Sequence, residues 1–361
     1  MNARCLSVCT LAVTIVTFYV GDLHAGDREP YLAVRTGLKC SQCHVNRTGG
    51  GGRTDFGSAW AQTVLPMRTV GIRNRALNEW ISVGADVRYL ARGTVTEATP
   101  RTDLGLNEAQ LQLEGNFIPN RLSLYIDEKL GPDGADAREL FALVKGLPLN
   151  GYAKAGKFIL PFGWRLWDDD AFIRAQTGFT FKTPDQGVEF GIEPGHLAFA
   201  VALSNGNQGA VESNSEKQVT SRASLVYRRF RIGGSASYNS TSNSQRGIFG
   251  GFTGFSIGPL TVLGEADYIT DSFDAAADVN QFVGYVEGNY LATKGVNAKV
   301  TYGFHDPDTD VSENQRIRMR FGLETFPVTF VQLSAFYTLL DDIPQVTTDV
   351  DVVSVELHVH F

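Results

Sequence analysis

Residues 81–92 read ISVGADVRYLAR and alternate between apolar and polar side chains. A period of two residues is typical of a β-strand, because successive side chains point to opposite faces of a sheet. Strands of outer-membrane barrels direct apolar residues towards lipid and polar residues towards the lumen. This stretch therefore predicts a barrel strand. Its apolar face carries Ile81, Val83, Ala85, Val87, Tyr89 and Ala91, and its polar face carries Ser82, Gly84, Asp86, Arg88 and Arg92.

The same alternation recurs in four later stretches, residues 109–117, 261–268, 296–302 and 316–323. The polar faces of the last two carry bases, which a soluble sandwich would have to bury or expose but a barrel can direct into a water-filled lumen. These bases are Lys299, Arg316, Arg318 and Arg320. Counting such segments from Asn78 to Phe361 predicts an all-β fold, a transmembrane antiparallel barrel of about 16 strands.

The connections between the predicted strands alternate in length, as in barrels with short periplasmic turns and long outer loops. The predicted short turns are 118–121, 193–196, 228–231, 257–259, 293–295 and 325–328, and the long loops are 205–217, 270–280, 305–314 and 340–348. The long loops are rich in Asp. Such loops would concentrate cations, including Fe²⁺, or simply keep the surface soluble.

Both ends of the chain indicate export to an outer membrane. Residues 1–25 have Arg4, an apolar run from Cys5 to Val20 and Leu23-His24-Ala25, which is the layout of a signal peptide. This run is too short to span a bilayer, and the rest of the chain has no apolar run of the about 18 residues that a membrane helix needs. The last strand resembles the C-terminal signal of outer-membrane proteins, the alternative being an ordinary strand that ends on Phe. It carries Val353, Val355, Leu357, Val359 and Phe361.

The composition agrees with many short strands. The chain has 38 Gly, 23 Phe and 12 Tyr, with 43% apolar and 20% charged residues. Its formal net charge of −7 disfavours nucleic acid as a partner and favours cations.

Cys40-Ser41-Gln42-Cys43-His44 is the C-x-x-C-H pattern of c-type haem attachment. In this pattern two thiols add to the haem vinyl groups and the adjacent imidazole ligates the iron. The alternatives are a redox-active or structural disulfide and a partial metal site. We predict one covalent haem c on Cys40 and Cys43, with His44 as an axial ligand of the haem iron.

The distal ligand of the haem iron has several candidates in the sequence: Met67, Met319, His196, His305, His358 and His360. Met67 is the nearest in sequence, and we predict it as the distal ligand. An apolar contact at the barrel entrance is an equal alternative for it. His358 and His360 lie on the polar phase of the last strand, where they would face a haem in the lumen or simply line the pore.

Arg35-Thr36-Gly37-Leu38-Lys39-Cys40-Ser41-Gln42-Cys43-His44, followed by Thr54-Asp55-Phe56-Gly57, resembles the opening of the fused outer-membrane cytochrome c–porin family. Members of that family include iron oxidases. The resemblance implies a mono-haem segment ahead of a porin-like barrel in a Gram-negative cell outer membrane. The chain then divides into a signal peptide (1–25), a mono-haem cytochrome c-like segment that can plug the barrel (26–75) and an outer-membrane barrel (76–361).

Residues 154–163 are similar to a segment of phosphate-selective porins, and the loop that follows them to Gln186 is the longest. A loop of this length can fold inward and narrow the pore. Two interpretations stay open for its charged and aromatic residues, an acceptor or metal site and a salt-bridged loop. The residues are Trp164, Arg165, Trp167, Asp168, Asp169, Asp170 and Arg174.

These patterns predict an electron-transfer protein, with an iron-oxidising cytochrome as one version. The haem segment would move electrons between an extracellular donor or acceptor, such as Fe²⁺, and a periplasmic cytochrome or other soluble carrier. The alternative is an anion-selective porin with a haem-bearing periplasmic appendage, in which Lys154, Lys157 and the stripe at Arg316 select the solute. The sequence has no pattern typical of hydrolases or transferases.

Overall fold

The computed structural model describes residues 29–95, 100–132, 134–210, 212, 214–342 and 350–361. The predicted signal peptide lies outside this range, as does most of the predicted loop 340–348. The described residues form a closed antiparallel barrel of sixteen strands, which confirms the predicted fold class. The strands are β1 Ile81–Val95, β2 Arg101–Ile118, β3 Leu122–Gly131, β4 Asp136–Leu147, β5 Gly151–Phe158, β6 Asp185–Ile192, β7 Leu197–Ser204, β8 Gln218–Tyr227, β9 Phe230–Ser240, β10 Ser244–Ile257, β11 Leu260–Phe273, β12 Val279–Thr293, β13 Val296–Asp306, β14 Arg316–Thr325, β15 Val331–Asp342 and β16 Val350–His360.

The wall of the barrel has polar side chains inside and apolar side chains outside. On β1, Asp86 and Arg88 are each 2% exposed, whereas the neighbouring Val87 and Tyr89 are 43% and 49% exposed. The register that closes the barrel pairs Val87 of β1 with Val359 of β16, so the apolar faces of the two strands coincide. Among the described residues, no helix has the length and apolar character to cross a membrane.

The two ends of the barrel differ in their connections. One end, which we call the short-turn end, carries the turns that follow β2, β4, β6, β8, β10, β12 and β14. The other end, the long-loop end, carries the loops 159–184, 205–217 and 307–315. The prediction of a long loop at 270–280 is wrong, because β11 ends at Phe273 and β12 begins at Val279. The strand ladder continues through its polar residues, because Thr270 pairs with Asn280 and Asp271 pairs with Val279.

The residues ahead of the barrel form three short helices, α1 Pro30–Thr36, α2 Cys40–Cys43 and α3 Asp55–Thr63. Pro30 stands in the first turn of α1, and Gly37 ends this helix in the left-handed conformation. The Thr54 hydroxyl caps α3 by accepting a hydrogen bond from the backbone N–H of Gly57. Each helix is short, so its position depends on contacts with the barrel.

We call residues 29–72 the plug, because they contact the inner wall from several sides. The Tyr31 hydroxyl donates to Glu324 of β14, the Arg35 guanidinium donates to Asn297 of β13, and the Ser41 hydroxyl donates to Glu193 beyond β6. The backbone N–H of Gly52 donates to Tyr125 of β3. These partners surround the lumen, and most lie beside short turns. The plug therefore crosses the lumen near the short-turn end.

Candidate functional site

Cys40, Cys43 and His44 lie together in the plug. Cys40 and Cys43 begin and end α2, and the backbone N–H of His44 donates to the carbonyl of Cys40. The loop that follows closes on itself, because His44 forms an antiparallel bridge with Arg53. The two thiols are not joined in a disulfide.

A cavity with about 720 Å³ of empty space, part of which is open to solvent, lies between the plug and the barrel. Both cysteines and His44 line it, together with apolar groups and arginines. The apolar lining includes Leu32, Ala33, Leu38, Trp60, Ala61 and Trp164, and the arginines are Arg53, Arg165 and Arg222. The donor set fits a haem c, because it combines two thiols, an imidazole, an apolar wall and bases that suit propionates.

The two thiols have different electrostatic surroundings. Burial raises the pKa of the Cys40 thiol, but the positive charges of Arg231 and Arg222 more than offset burial and lower this pKa from its ordinary value. Arg231 also places its Nη1 3.6 Å from the sulfur of Cys40. Burial raises the pKa of Cys43 to about 11. Cys40 therefore forms the thiolate, which is the reactive species, more readily than Cys43 does.

Glycines allow the plug to pass close to its neighbours. A Cβ on Gly50, which has φ +80°, would lie 2.9 Å from the Phe181 ring and 3.1 Å from Arg165. A Cβ on Gly57 would lie 2.2 Å from the carbonyl oxygen of Cys43. Glycine at position 57 therefore allows α3 to approach α2, and glycine at position 50 allows the plug to approach Phe181 and Arg165.

We expect Gly57→Ala to separate α3 from α2. The added methyl group cannot fit against the Cys43 carbonyl, and such overpacking costs about 1–3 kcal/mol. Limited proteolysis should cut residues 44–54 about tenfold faster than in the unchanged chain, because local opening becomes more frequent. The control is Gly105→Ala on β2, where a Cβ meets no atom within 4 Å. Equal cleavage rates for both variants would contradict this account of the contact.

The loop 159–184 folds into the lumen and reaches the opposite wall. The carboxylate of Asp168 accepts hydrogen bonds of 2.7 Å from Arg318 Nη1 and 3.2 Å from Arg320 Nη1, both on β14. Burial raises the pKa of Asp168, but the positive charges of Arg318 and Arg320 prevail and hold this pKa below its usual range. The loop also contacts the plug, where Arg165 donates to the carbonyl of Gly49.

This inward loop, which contains the helix α4 Phe172–Ala175, has the salt-bridged arrangement that the sequence left open. Asp169 pairs with Arg174 at 3.3 Å, in addition to the contacts of Asp168 with β14. In the part of the chain that the structure describes, no group of three His, Cys, Asp or Glu residues could hold a metal ion. The loop therefore crosses the lumen and is held to the opposite wall by salt bridges.

Met67 does not lie at the cavity. Its side chain is 45% exposed, and its backbone N–H donates to the carbonyl of Phe326 at the short-turn end. Its Cγ lies beside Gly295 in the turn after β12. This placement favours the apolar contact at the barrel entrance that the sequence left open, and it gives the predicted distal ligation no support.

Three of the histidines considered as distal ligands also lie away from the cavity. His358 lies between Gln332 and Asp86 on the inner wall, at 2.9 and 2.8 Å. His305 contacts Gln281 near the long-loop end, and the ring of His196 packs on Tyr227. Apart from His44, the described residues that line the cavity include no His or Met.

Lys154 and Lys157 have carboxylate partners. Lys154 Nζ is buried, lies 3.1 Å from Glu189, and donates to Asn46 of the plug at 2.8 Å. Lys157 pairs with Asp136 at 3.2 Å. Lys154 thus fixes the plug to the wall, and its charge is already compensated.

No protein-family model matches the chain, and no curated protein matches it in sequence. Solved structures of outer-membrane barrels do resemble it. The anion-selective porin from Comamonas acidovorans has 10% identity and a TM-score of 0.62, covering 78% of this chain and 99% of that one. Salmonella typhi OmpF in complex with daunomycin has 13% identity and a TM-score of 0.60, covering 79% and 99%. The outer-membrane channel DcaP of Acinetobacter baumannii has 12% identity and a TM-score of 0.58, covering 78% and 97%. At these identities the likeness shows a porin-like barrel fold.

Proposed function

We propose that this protein transfers electrons across a Gram-negative outer membrane, using one covalent haem c held between the plug and the barrel. The observation that carries the proposal is the cavity of about 720 Å³, which joins Cys40, Cys43 and His44 to apolar walls and arginines. The outer-membrane location is supported by the porin-like fold and by the exposed apolar belt, which suits contact with lipid.

The residues of the cavity have separate tasks in this proposal. Cys40 and Cys43 would hold the haem, and His44 would ligate its iron. A bound haem supplies one-electron redox chemistry. Arg165 and Arg222 offer positive charge to propionates, while Trp60 and Leu32 keep water from the ring. The inward loop separates the cavity from the long-loop end, because Arg165 joins it to the plug.

The electron donor on the outer side, such as Fe²⁺, would approach from the long-loop end. A second cavity of about 500 Å³ lies there, between the inward loop and the wall, and its lining includes Asp185, Gln218 and Arg246. In each turnover the donor loses one electron and a soluble periplasmic cytochrome or similar carrier gains it, with no atom transferred. The hydrocarbon layer is about 30 Å thick, so one haem needs close approach of its partners on both sides.

The test is a reduced-minus-oxidised absorbance spectrum of protein purified from outer membranes of a host that matures c-type cytochromes. We expect haem that stays attached after denaturation, and complete loss of this haem in Cys40→Ala/Cys43→Ala. The matched control is Ser41→Ala, which keeps both thiols. Absence of covalent haem from the unchanged chain would overturn the proposal.

A second candidate function is an anion-selective porin, favoured by the resemblance to the Comamonas porin and by the lumenal arginines. The ion pairs weaken this candidate, because Asp168 offsets one of the two positive charges of Arg318 and Arg320, and Glu189 offsets the charge of Lys154. An open channel that prefers chloride would establish it instead, because a plugged electron conduit should be nearly closed.

A further inference from the structure

The short-turn end of the barrel has an excess of exposed bases. Asp55 and Glu79 are the exposed acidic side chains at this end among the described residues. We call the exposed bases the basic face, and they come from the plug, from the segment between the plug and β1, and from three turns. They are Arg68, Arg73, Arg121, Arg228, Arg229 and Lys294.

The long-loop end has the opposite character, in keeping with the net charge of −7 for the whole chain. Its exposed acids outnumber its exposed bases in the described residues. The acids include Asp103, Asp136, Asp170, Asp274, Asp278, Asp310 and Glu313. Among the described residues, exposed charge is therefore separated along the barrel axis, and the positive surface lies at the short-turn end.

The basic face is continuous with the cavity of the cysteine motif. Lys39 and Arg53 line that cavity, and Lys39 Nζ donates to the carbonyl of Leu197 at the short-turn end. A Cβ on Gly37 would lie 2.3 Å from the carbonyl oxygen of Arg228, so the end of α1 packs directly on one of the basic turns. A molecule that binds this face would stand next to the cavity.

An apolar patch accompanies these bases. Phe56 and Val64 of the α3 region are 50% and 49% exposed. Gly57, Trp60 and Ala61 of the same helix line the cavity. Apolar groups surrounded by charge are typical of protein interfaces, in which the centre excludes water and the rim selects the partner.

We propose that the basic face docks a soluble electron carrier with an acidic surface. This inference rests on the proposed function and specifies the chemistry of the periplasmic partner. Complementary charge would raise the rate of encounter by about 10–10³-fold at low ionic strength, and the short-lived complexes of electron carriers gain most from this. In the complex one electron would pass between the carrier and the redox group at the cavity, so that one of them is oxidised and the other is reduced by one unit.

The test compares two triple charge reversals with the same change in net charge. The first is Arg68→Glu/Arg73→Glu/Arg229→Glu on the basic face. The backbone atoms of these residues make hydrogen bonds to neighbouring residues, and a side-chain substitution leaves those backbone groups in place. The second, at the long-loop end, is Arg92→Glu/Arg101→Glu/Lys182→Glu, three residues that are also exposed. Binding of an acidic soluble mono-haem cytochrome c to each protein in nanodiscs is measured by surface plasmon resonance.

We expect the first variant to lower the association rate constant about tenfold at low salt, and the second to leave it within twofold. Salt should weaken binding to the unchanged chain, and a basic cytochrome c of similar size should bind less well. Equal binding of the acidic and basic cytochromes would overturn the inference. The inference would also be overturned if the charge reversals left cytochrome binding unchanged and weakened only the binding of the protein to vesicles that contain phosphatidylglycerol. The basic face would then contact lipid.

Binding is measured without redox activity, so this result is independent of haem. Cys40→Ala/Cys43→Ala should bind the acidic cytochrome as the unchanged chain does. If the unchanged chain lacks covalent haem, the proposed function fails, whatever the binding shows. If haem is present but charge reversal has no effect, only the docking inference fails.

Discussion

Deletion of residues 29–72 should convert a nearly closed barrel into an open channel. The plug crosses the lumen and contacts β3, β13 and β14, whereas barrels of this strand number without a plug leave an aqueous channel. We expect single-channel conductance in planar bilayers to rise by roughly tenfold. The inward loop still narrows the lumen, because its anchor from Asp168 to Arg318 does not involve the plug.

Two controls separate the plug from other causes of an open channel. Cys40→Ala/Cys43→Ala keeps the plug and should stay nearly closed, which distinguishes loss of the segment from loss of haem. The deletion variant should retain the heat-modifiable gel mobility of a folded barrel. A folded deletion variant whose conductance equals that of the unchanged chain would show that the plug does not obstruct the lumen.

Lys299→Met should release the plug at a much lower denaturant concentration. Lys299 Nζ lies 2.7 Å from Glu324, 3.1 Å from Glu29 and 4.0 Å from Glu287, and all four side chains are less than 10% exposed. Removal of the cation leaves three buried carboxylates close together. Breaking a buried ion pair by removing one partner costs about 3–5 kcal/mol.

The measurement is the guanidinium concentration at which a protease first cuts residues 29–72. Lys182→Met is the matched control, because Lys182 is exposed and lies in the inward loop. Its release midpoint should match that of the unchanged chain. Lys299→Arg retains the charge and should restore much of the loss. Equal midpoints for Lys299→Met and Lys182→Met would contradict the anchoring role of the buried cation.

The barrel was predictable because its signal is local. The alternation on residues 81–92 places Asp86 inside and Val87 outside whatever the remainder of the chain does. The error at 270–280 has the same origin. Polar residues such as Thr270 and Asn280 are typical of loops, but their cross-strand pairing keeps them in the ladder, and pairing is not visible in a single strand.

The cavity was predictable only in part, because its residues come from distant parts of the chain. The pattern of Cys40, Cys43 and His44 identifies one side of it. Arg222 lies on the polar phase of β8, so alternation can place it in the lumen but cannot bring it to the cysteines. Met67 shows that closeness in sequence does not predict closeness in space, because it lies near His44 in the chain but not at the cavity.

The position of the cysteine motif also has a consequence for the order of biogenesis. The barrel closes only when β1 pairs with β16, which follows the other fifteen strands in the chain. After closure, Cys40 and Cys43 face a cavity between the plug and the wall, where an enzyme that attaches haem has little room to act. Under the proposed function, haem ligation in the periplasm therefore precedes insertion of the barrel, and a chain that reaches the membrane before ligation would stay permanently without its cofactor.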